Sequence, residues 1–174
     1  MTKLETRNSK LETPFRIGHG FDLHRLEPGL PLIVGGVRVE HDRGYAAHSD
    51  GDVVYHCVTD AICGALAQPD IGQLFPDNDP RWKNADSRVF VEEAVQRMAG
   101  AGYAIGNLDV TVILQRPKLS PHKDGIRRNL ASLLGCDISK VNIKGKTHEN
   151  VDSLGENRSI ACHAVVLLTS HSQR

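Results

Sequence analysis

Apolar and polar positions change period several times along this chain, and each change marks an element. Residues 15–21 open with an apolar and basic stretch that reads as a first strand. Two short β-branched runs at 32–34 and 37–39 flank Gly35-Gly36, the pattern of a hairpin. After Ser49-Asp50-Gly51-Asp52 the period lengthens, with Val54, Cys57, Val58, Ala61 and Ala65 at helical core spacing. A helix to about Ala67 is predicted, with Ser49 as its cap and Asp52 favourable to its dipole. Residues 68–84, rich in Pro, Asp and Asn, read as a long loop.

A second helix is expected from Asp86 or Ser87, with Phe90, Val91, Ala94, Val95 and Met98 on one face and Gly100 and Gly102 as its stop. Residues 108–115 form a strand dense in β-branched side chains. Ser120-Pro121 is the expected start of a third helix that ends at Gly135. Residues 141–146 and 160–169 are the last two strands. No repeat or long linker divides the chain. The fold class expected is α/β (α+β): one domain over 15–170, with three helices on one face of a mixed sheet. Residues 1–14 read as a flexible extension and 171–174 as a polar tail.

Composition narrows the function. In 174 residues, 21 Lys and Arg balance 21 Asp and Glu, so a surface built for nucleic acid or an anionic membrane is not expected. No apolar run approaches the ~20 residues of a membrane span. Four cysteines without a CxxC pair suit buried thiols in a reducing compartment. The first residues have no apolar core like that of a signal peptide, and Glu5 and Glu12 argue against a transit peptide, which makes a cytoplasmic location the expectation. Histidine stands out: there are nine, and His19, His24, His41, His48 and His56 all lie in the first third.

Asp22 and His24 are two apart, so a strand continuing that far presents both on one face. Such a pair grips one metal ion if a third ligand arrives from elsewhere, and His56 in the first helix is the best candidate. Asp60, one turn on, is placed to orient its ring. Two imidazoles and a carboxylate leave one position of tetrahedral Zn²⁺ open, as catalysis requires. His48 and Ser49 precede a helix N-terminus, a natural anion site. Asp70, Ile71 and Gly72, then Phe75, Pro76, Asp77, Asn78 and Asp79, occupy a loop long enough to suggest a function, although composition alone favours Asx turns around the prolines. Lys118 ends a strand within reach of a phosphate, and Thr147 and Glu149 offer a hydroxyl and a hard oxygen suited to Mg²⁺. Cys57 and Cys63 lie inside the helix, so no thiol nucleophile is expected.

In chain order, RIGHGFDLH, AHSDGDVVYHCVTDAICGA, DIGQLFPDNDPRWKNADSR, GNLDVTVILQRPKLSPH and VNIKGKTHE resemble the 2-C-methyl-D-erythritol 2,4-cyclodiphosphate synthases of the non-mevalonate isoprenoid route, over residues 16–169. The resemblance implies a homotrimer whose sheets face a central axis, with active sites between subunits. It implies Zn²⁺ on Asp22, His24 and His56, and Mg²⁺ or Mn²⁺ beside Glu149 with the substrate diphosphate. His48 and Ser49, with 70–72 and 75–79, would hold the methylerythritol phosphate half. Leu114, Gln115, Arg116, Pro117, Lys118, Leu119 and Ser120 would form the cytidine and phosphate loop. Lys146, Thr147, His148 and Glu149 would complete it, with His48 and Thr147 stabilising the transition state.

One stretch departs from the family. Where a segment ending GRGEG is usual, residues 151–159 read VDSLGENRS, placing Glu156 at the position of an Arg and Arg158 at that of a Glu. Lys146 and His148 also replace residues that are usually small. The implied reaction is attack of the substrate's 2-phosphate on its β-phosphorus with loss of CMP. Two rivals are a metal-dependent phosphoesterase and a non-catalytic trimeric binding module. Of the remaining histidines, His19 is expected to be structural, and His41, His122, His163 and His171 to have no catalytic part.

Overall fold

The computed structural model describes residues 14–170. The expectations for 1–13 and 171–174, including His171, lie outside them. Strand β1 (Phe15–Pro28) runs 14 residues, twice the length its apolar start suggested, and so carries Asp22 and His24 within the strand. Strands β2 (Leu32–Val34) and β3 (Val37–Val39) form the expected hairpin, with Gly35 and Gly36 at φ 57° and 71°. A short strand β4 (Arg43–Tyr45) precedes helix α1 (Val53–Ala65).

Asp52 caps α1, where Ser49 was expected; its carboxylate accepts from the N–H groups of Val54 and Tyr55 at 3.0 and 3.3 Å. The same group accepts from Gly35 and Gly36 in the hairpin at 2.9 and 2.7 Å. Burial pushes this carboxyl up to about 6, against the pull of those N–H donors. Ser49 instead accepts from Gly51 N–H at 3.2 Å and belongs to the site below.

The loop at 68–84 contains a one-turn helix α2 (Ile71–Leu74) and a 3₁₀ turn at Pro80–Trp82, capped by Asp70 and Asp79. Helix α3 (Arg88–Gly100) leads into β5 (Tyr103–Ile113), which starts and stops earlier than its β-branched run suggested. Ser120–His122 is a 3₁₀ turn ahead of α4 (Lys123–Leu134), which ends on Gly135 in the left-handed conformation. Then follow β6 (Val141–Lys146), the short α5 (Asp152–Gly155) and β7 (Ser159–Ser170).

The main sheet has the order β4-β1-β7-β5-β6 and is mixed: β5 and β6 are parallel and the other pairs antiparallel. Helix α1 lies on β1 and β7, α3 packs on β5, and α4 covers β6. The core between these layers includes Ile62, Leu108, Val110, Ile126, Leu130, Ile160 and Val166, all 1% exposed or less. Among the described residues, the opposite face carries no helix. There β1 presents Phe15, Ile17, Phe21 and Leu23, and β7 presents Val165, between 45% and 66% exposed.

Candidate functional site

Two glycines set the distance between β1 and α1. A Cβ on Gly18 would lie 1.8 Å from the Ala61 carbonyl oxygen, and one on Gly20 would lie 1.9 Å from that of Cys57. With hydrogen alone at both positions, the helix backbone rests directly on the strand. That contact delivers His56, one residue before Cys57, to the strand face that bears Asp22 and His24.

The three side chains converge. His56 Nδ1 is 3.0 Å and His24 Nε2 is 3.1 Å from Asp22 Oδ2, and the two imidazole nitrogens are 3.1 Å apart. All three are shielded, with side-chain exposures of 23%, 19% and 11% for Asp22, His24 and His56. Burial pushes the Asp22 carboxyl up, but hydrogen bonds and charge from His24 and His56 outweigh it and hold it well below the usual carboxylate range. One carboxylate and two imidazoles, open on one side, suit a divalent metal with a vacant coordination position for substrate.

Behind the cluster, His56 Nε2 lies 2.9 Å from Ser87 Oγ and 3.1 Å from Ser49 Oγ, and the Ser87 hydroxyl donates to Asp50 Oδ1 at 2.5 Å. Asp60 does not orient the ring as expected. It accepts from the Ile71 N–H at 2.8 Å and so ties α2 to α1. Ser87 and Asp50 were not legible as site residues, because each reads locally as helix-start chemistry.

In front of the cluster is a cleft of about 240 Å³, lined by His24 and His56, by Ala47, His48 and Ser49, and by Ile71, Gly72, Phe75 and Asp77. Trp82 and Phe90 close it, with the Phe75 ring 4.5 Å from that of Phe90 and edge-on to that of Trp82 at 5.1 Å. These two rings escaped the sequence reading, Phe90 because it fits the apolar face of α3. His48 Nε2 is 3.4 Å from the Asp79 carbonyl oxygen. Asp70, Pro76, Asn78 and Asp79 do not line this cleft. Asp70 and Asp79 cap turns, and Asp79 also pairs with Arg81 at 2.6 Å.

A second cleft, of about 120 Å³, collects Leu114, Gln115, Pro117, Lys118, Leu119 and Ser120 from the segment after β5, with Lys123, Lys146 and Thr147. Three ammonium groups and no carboxylate line it, so it favours an anion. Thr147 donates to Glu149 Oε1 at 2.9 Å, and the His148 N–H donates to Gln115 Oε1 at 3.2 Å. Arg116, His148 and Glu149 stand outside the lining, and no residue lines both clefts. The reversed pair is formed within the chain, with Arg158 Nε donating to Glu156 Oε2 at 2.7 Å. Burial pushes the Cys63 thiol up to about 11 and that of Cys162 well above its usual value, in keeping with thiols that do no chemistry.

A model of the YgbB family matches residues 15–169, the whole described sheet and its helices. The chain belongs to the YgbB family. Within that family it is 72% identical over 155 residues to the chloroplastic 2-C-methyl-D-erythritol 2,4-cyclodiphosphate synthase of Arabidopsis thaliana, covering 89% of this chain and 67% of the relative. Among solved structures it matches an IspF of Plasmodium falciparum in complex with CDP at TM-score 0.80 and 38% identity, over 90% of this chain and 96% of the other. It also matches the bifunctional IspDF of Campylobacter jejuni at TM-score 0.86 and 36% identity, where it spans 90% of itself but only 42% of the longer chain. The YgbB fold thus accounts for the mixed sheet and helices seen here. Among the described residues, no helix is long and apolar enough to cross a membrane.

Proposed function

We propose that this chain is a metal-dependent phosphorus–oxygen lyase that converts 4-diphosphocytidyl-2-C-methyl-D-erythritol 2-phosphate to 2-C-methyl-D-erythritol 2,4-cyclodiphosphate and CMP, in isoprenoid precursor biosynthesis. The observation that carries the reading is the convergence of Asp22, His24 and His56, with both imidazoles lining a cleft, in a member of this family. A 2-phosphate oxygen bonds to the β-phosphorus as the bond from that phosphorus to the bridging oxygen breaks. CMP leaves with the bridging oxygen and its electron pair. Nucleophile and leaving group both belong to the substrate, so the reaction needs no side-chain nucleophile.

The chain's task is then to hold two mutually repelling phosphate groups in line. His48 and Ser49 bind the methylerythritol phosphate at the first cleft, beside the apolar wall of Phe75 and Phe90. Lys118, Lys146 and Thr147 take the cytidine diphosphate at the second. The complex of the Plasmodium relative with CDP supports a nucleotide ligand. His48 and Thr147 stabilise charge that develops on the transferring group. Alignment of the reacting phosphates lowers the barrier by ~7–11 kcal/mol at best. Asp22, His24 and His56 fit Zn²⁺, and Glu149 with the substrate diphosphate fits Mg²⁺ or Mn²⁺. When bound, these ions supply Lewis acidity and charge neutralisation at the phosphates.

The two clefts share no residue, and the open face of the sheet exposes a row of apolar side chains. Both features support a homotrimer with its sheets facing a central axis, in which the second cleft of one subunit completes the first cleft of another. The cytoplasmic location is retained as a proposal. The chloroplastic designation of the Arabidopsis relative stands against it, and cell fractionation separates the two.

CMP release from the named substrate, with and without Zn²⁺ and Mg²⁺, tests the activity, with the product read by phosphorus NMR. A cyclic diphosphate is expected. A linear product favours the phosphoesterase, and ligand binding without turnover favours the binding module. His56→Ala is expected to lose Zn²⁺ and CMP release together while the assembly persists. Full activity in a metal-free variant defeats the assignment.

A further inference from the structure

The two nitrogens of the His56 ring face different chemistry. Nδ1 points at Asp22 Oδ2 and His24 Nε2, whereas Nε2 meets only hydroxyls, those of Ser87 and Ser49. Ser87 is fully buried. Its hydroxyl has a single hydrogen, and Asp50 Oδ1 at 2.5 Å is the acceptor that receives it. Asp50 is itself held in place: it accepts from the N–H groups of Asp52 and Ser87 at 3.1 and 3.2 Å, while its own N–H donates to the Ala85 carbonyl. With that hydrogen committed to Asp50, Ser87 Oγ turns only lone pairs toward His56 and toward Ser49 Oγ, 3.2 Å away, so the Ser49 hydrogen has an acceptor other than the ring. The Nε2 proton of His56 then has an acceptor, and the lone pair is left at Nδ1.

We infer that Ser87 and Asp50 are positioning residues that hold the His56 imidazole in the tautomer whose free lone pair, at Nδ1, faces the metal cluster. The inference rests on the zinc reading of Asp22, His24 and His56 and adds the part of the chain that enforces it. A ligating histidine commonly donates its other N–H to a carboxylate or carbonyl. Here a buried serine is interposed, because α1 places the ring against the start of α3 and Asp50 is one hydroxyl too far away. The arrangement also couples two loops to the metal. Asp50 belongs to the segment that carries His48 and Ser49, and Ser87 begins the helix that carries Phe90, so both walls of the first cleft meet behind the ring.

Two measurements test the relay. In zinc-loaded, ¹⁵N-labelled parent protein, a long-range ¹H–¹⁵N spectrum is expected to show His56 protonated at Nε2 and ligating through Nδ1; ligation through Nε2 overturns the inference. By chelator competition, Ser87→Ala is expected to bind Zn²⁺ about 10–100-fold more weakly than parent. Asp50→Asn, which keeps an acceptor oxygen for the hydroxyl, is expected to lose less. The double variant is expected to match Ser87→Ala alone, because two groups acting in series are not additive. Parent-like affinity in Ser87→Ala, or fully additive losses, overturns the relay while leaving the zinc site intact. Failure of the parent to bind Zn²⁺ removes the zinc reading itself. Should Ser87→Ala not fold, the parent spectrum decides alone.

Discussion

The two faces of β1 do different work from alternate residues of one strand. Toward the helices it offers Gly18, Gly20, Asp22, His24 and Leu26, and toward the open side Phe15, Ile17, His19, Phe21 and Leu23. The first set is small, then polar, then apolar. It admits a helix at backbone contact and meets that helix with two metal-ligating side chains. The second set is uniformly large around His19, whose ring lies 3.2 Å, nitrogen to nitrogen, from His163. Nothing in the described chain covers it. A period of two lets one strand build a reaction site and an assembly surface without either constraining the other.

The largest effect is expected where the helix-covered face is tightest. Gly20→Ala puts a methyl group 1.9 Å from the Cys57 carbonyl oxygen, a backbone atom that moves only if α1 moves. A loss of about 3 kcal/mol or more in unfolding free energy is expected, together with loss of zinc, since His56 rides on the displaced helix. Chemical denaturation and zinc content check both; parent-like stability with zinc retained would mean that the glycines do not set the helix position.

An intermediate effect is expected on the open face. Phe21→Lys places a charge where Phe21 is 50% exposed, with its ring 4.8 Å from that of His163 on the neighbouring strand. The isolated subunit is expected to keep nearly its parent melting behaviour, while sedimentation velocity shows smaller species and CMP release falls with the assembly. An unchanged sedimentation coefficient contradicts the proposed packing of sheets across an axis.

The smallest effect is expected at Arg158, just before β7. Its pair with Glu156 has both side chains more than half exposed, so Arg158→Ala is expected to cost less than ~1 kcal/mol of subunit stability. A larger loss in thermal unfolding would show that the reversed pair, although solvent-facing, anchors the start of β7.

Much of this was legible in the chain. The helical spacing of Val54, Cys57, Val58, Ala61 and Ala65 fixed the buried stripe of α1, and all five are buried. The Gly35-Gly36 hairpin and the Gly135 stop were readable because positive φ has few other hosts. The cap of α1 was misplaced, at Ser49 in place of Asp52, because three polar residues in four can each serve and only the hairpin's N–H groups select one. Asp60 was misassigned to His56 because i+4 proximity on a helix says nothing of the N–H that another segment brings to it.

By itself, then, the sequence determined the element order, the core stripes, the Asp22–His24 pair, His56 as their partner and the family, since these rest on local periodicity and on long ordered motifs. Tertiary structure alone decided that α1 approaches β1 closely enough to close the triad, that Ser87 and Asp50 stand behind the ring, and that Trp82 and Phe90 wall the cleft. The decisive contacts, His56 with Asp22 and Ser87 with Asp50, join residues tens of positions apart, and their distances are set by packing between layers, which no local pattern encodes.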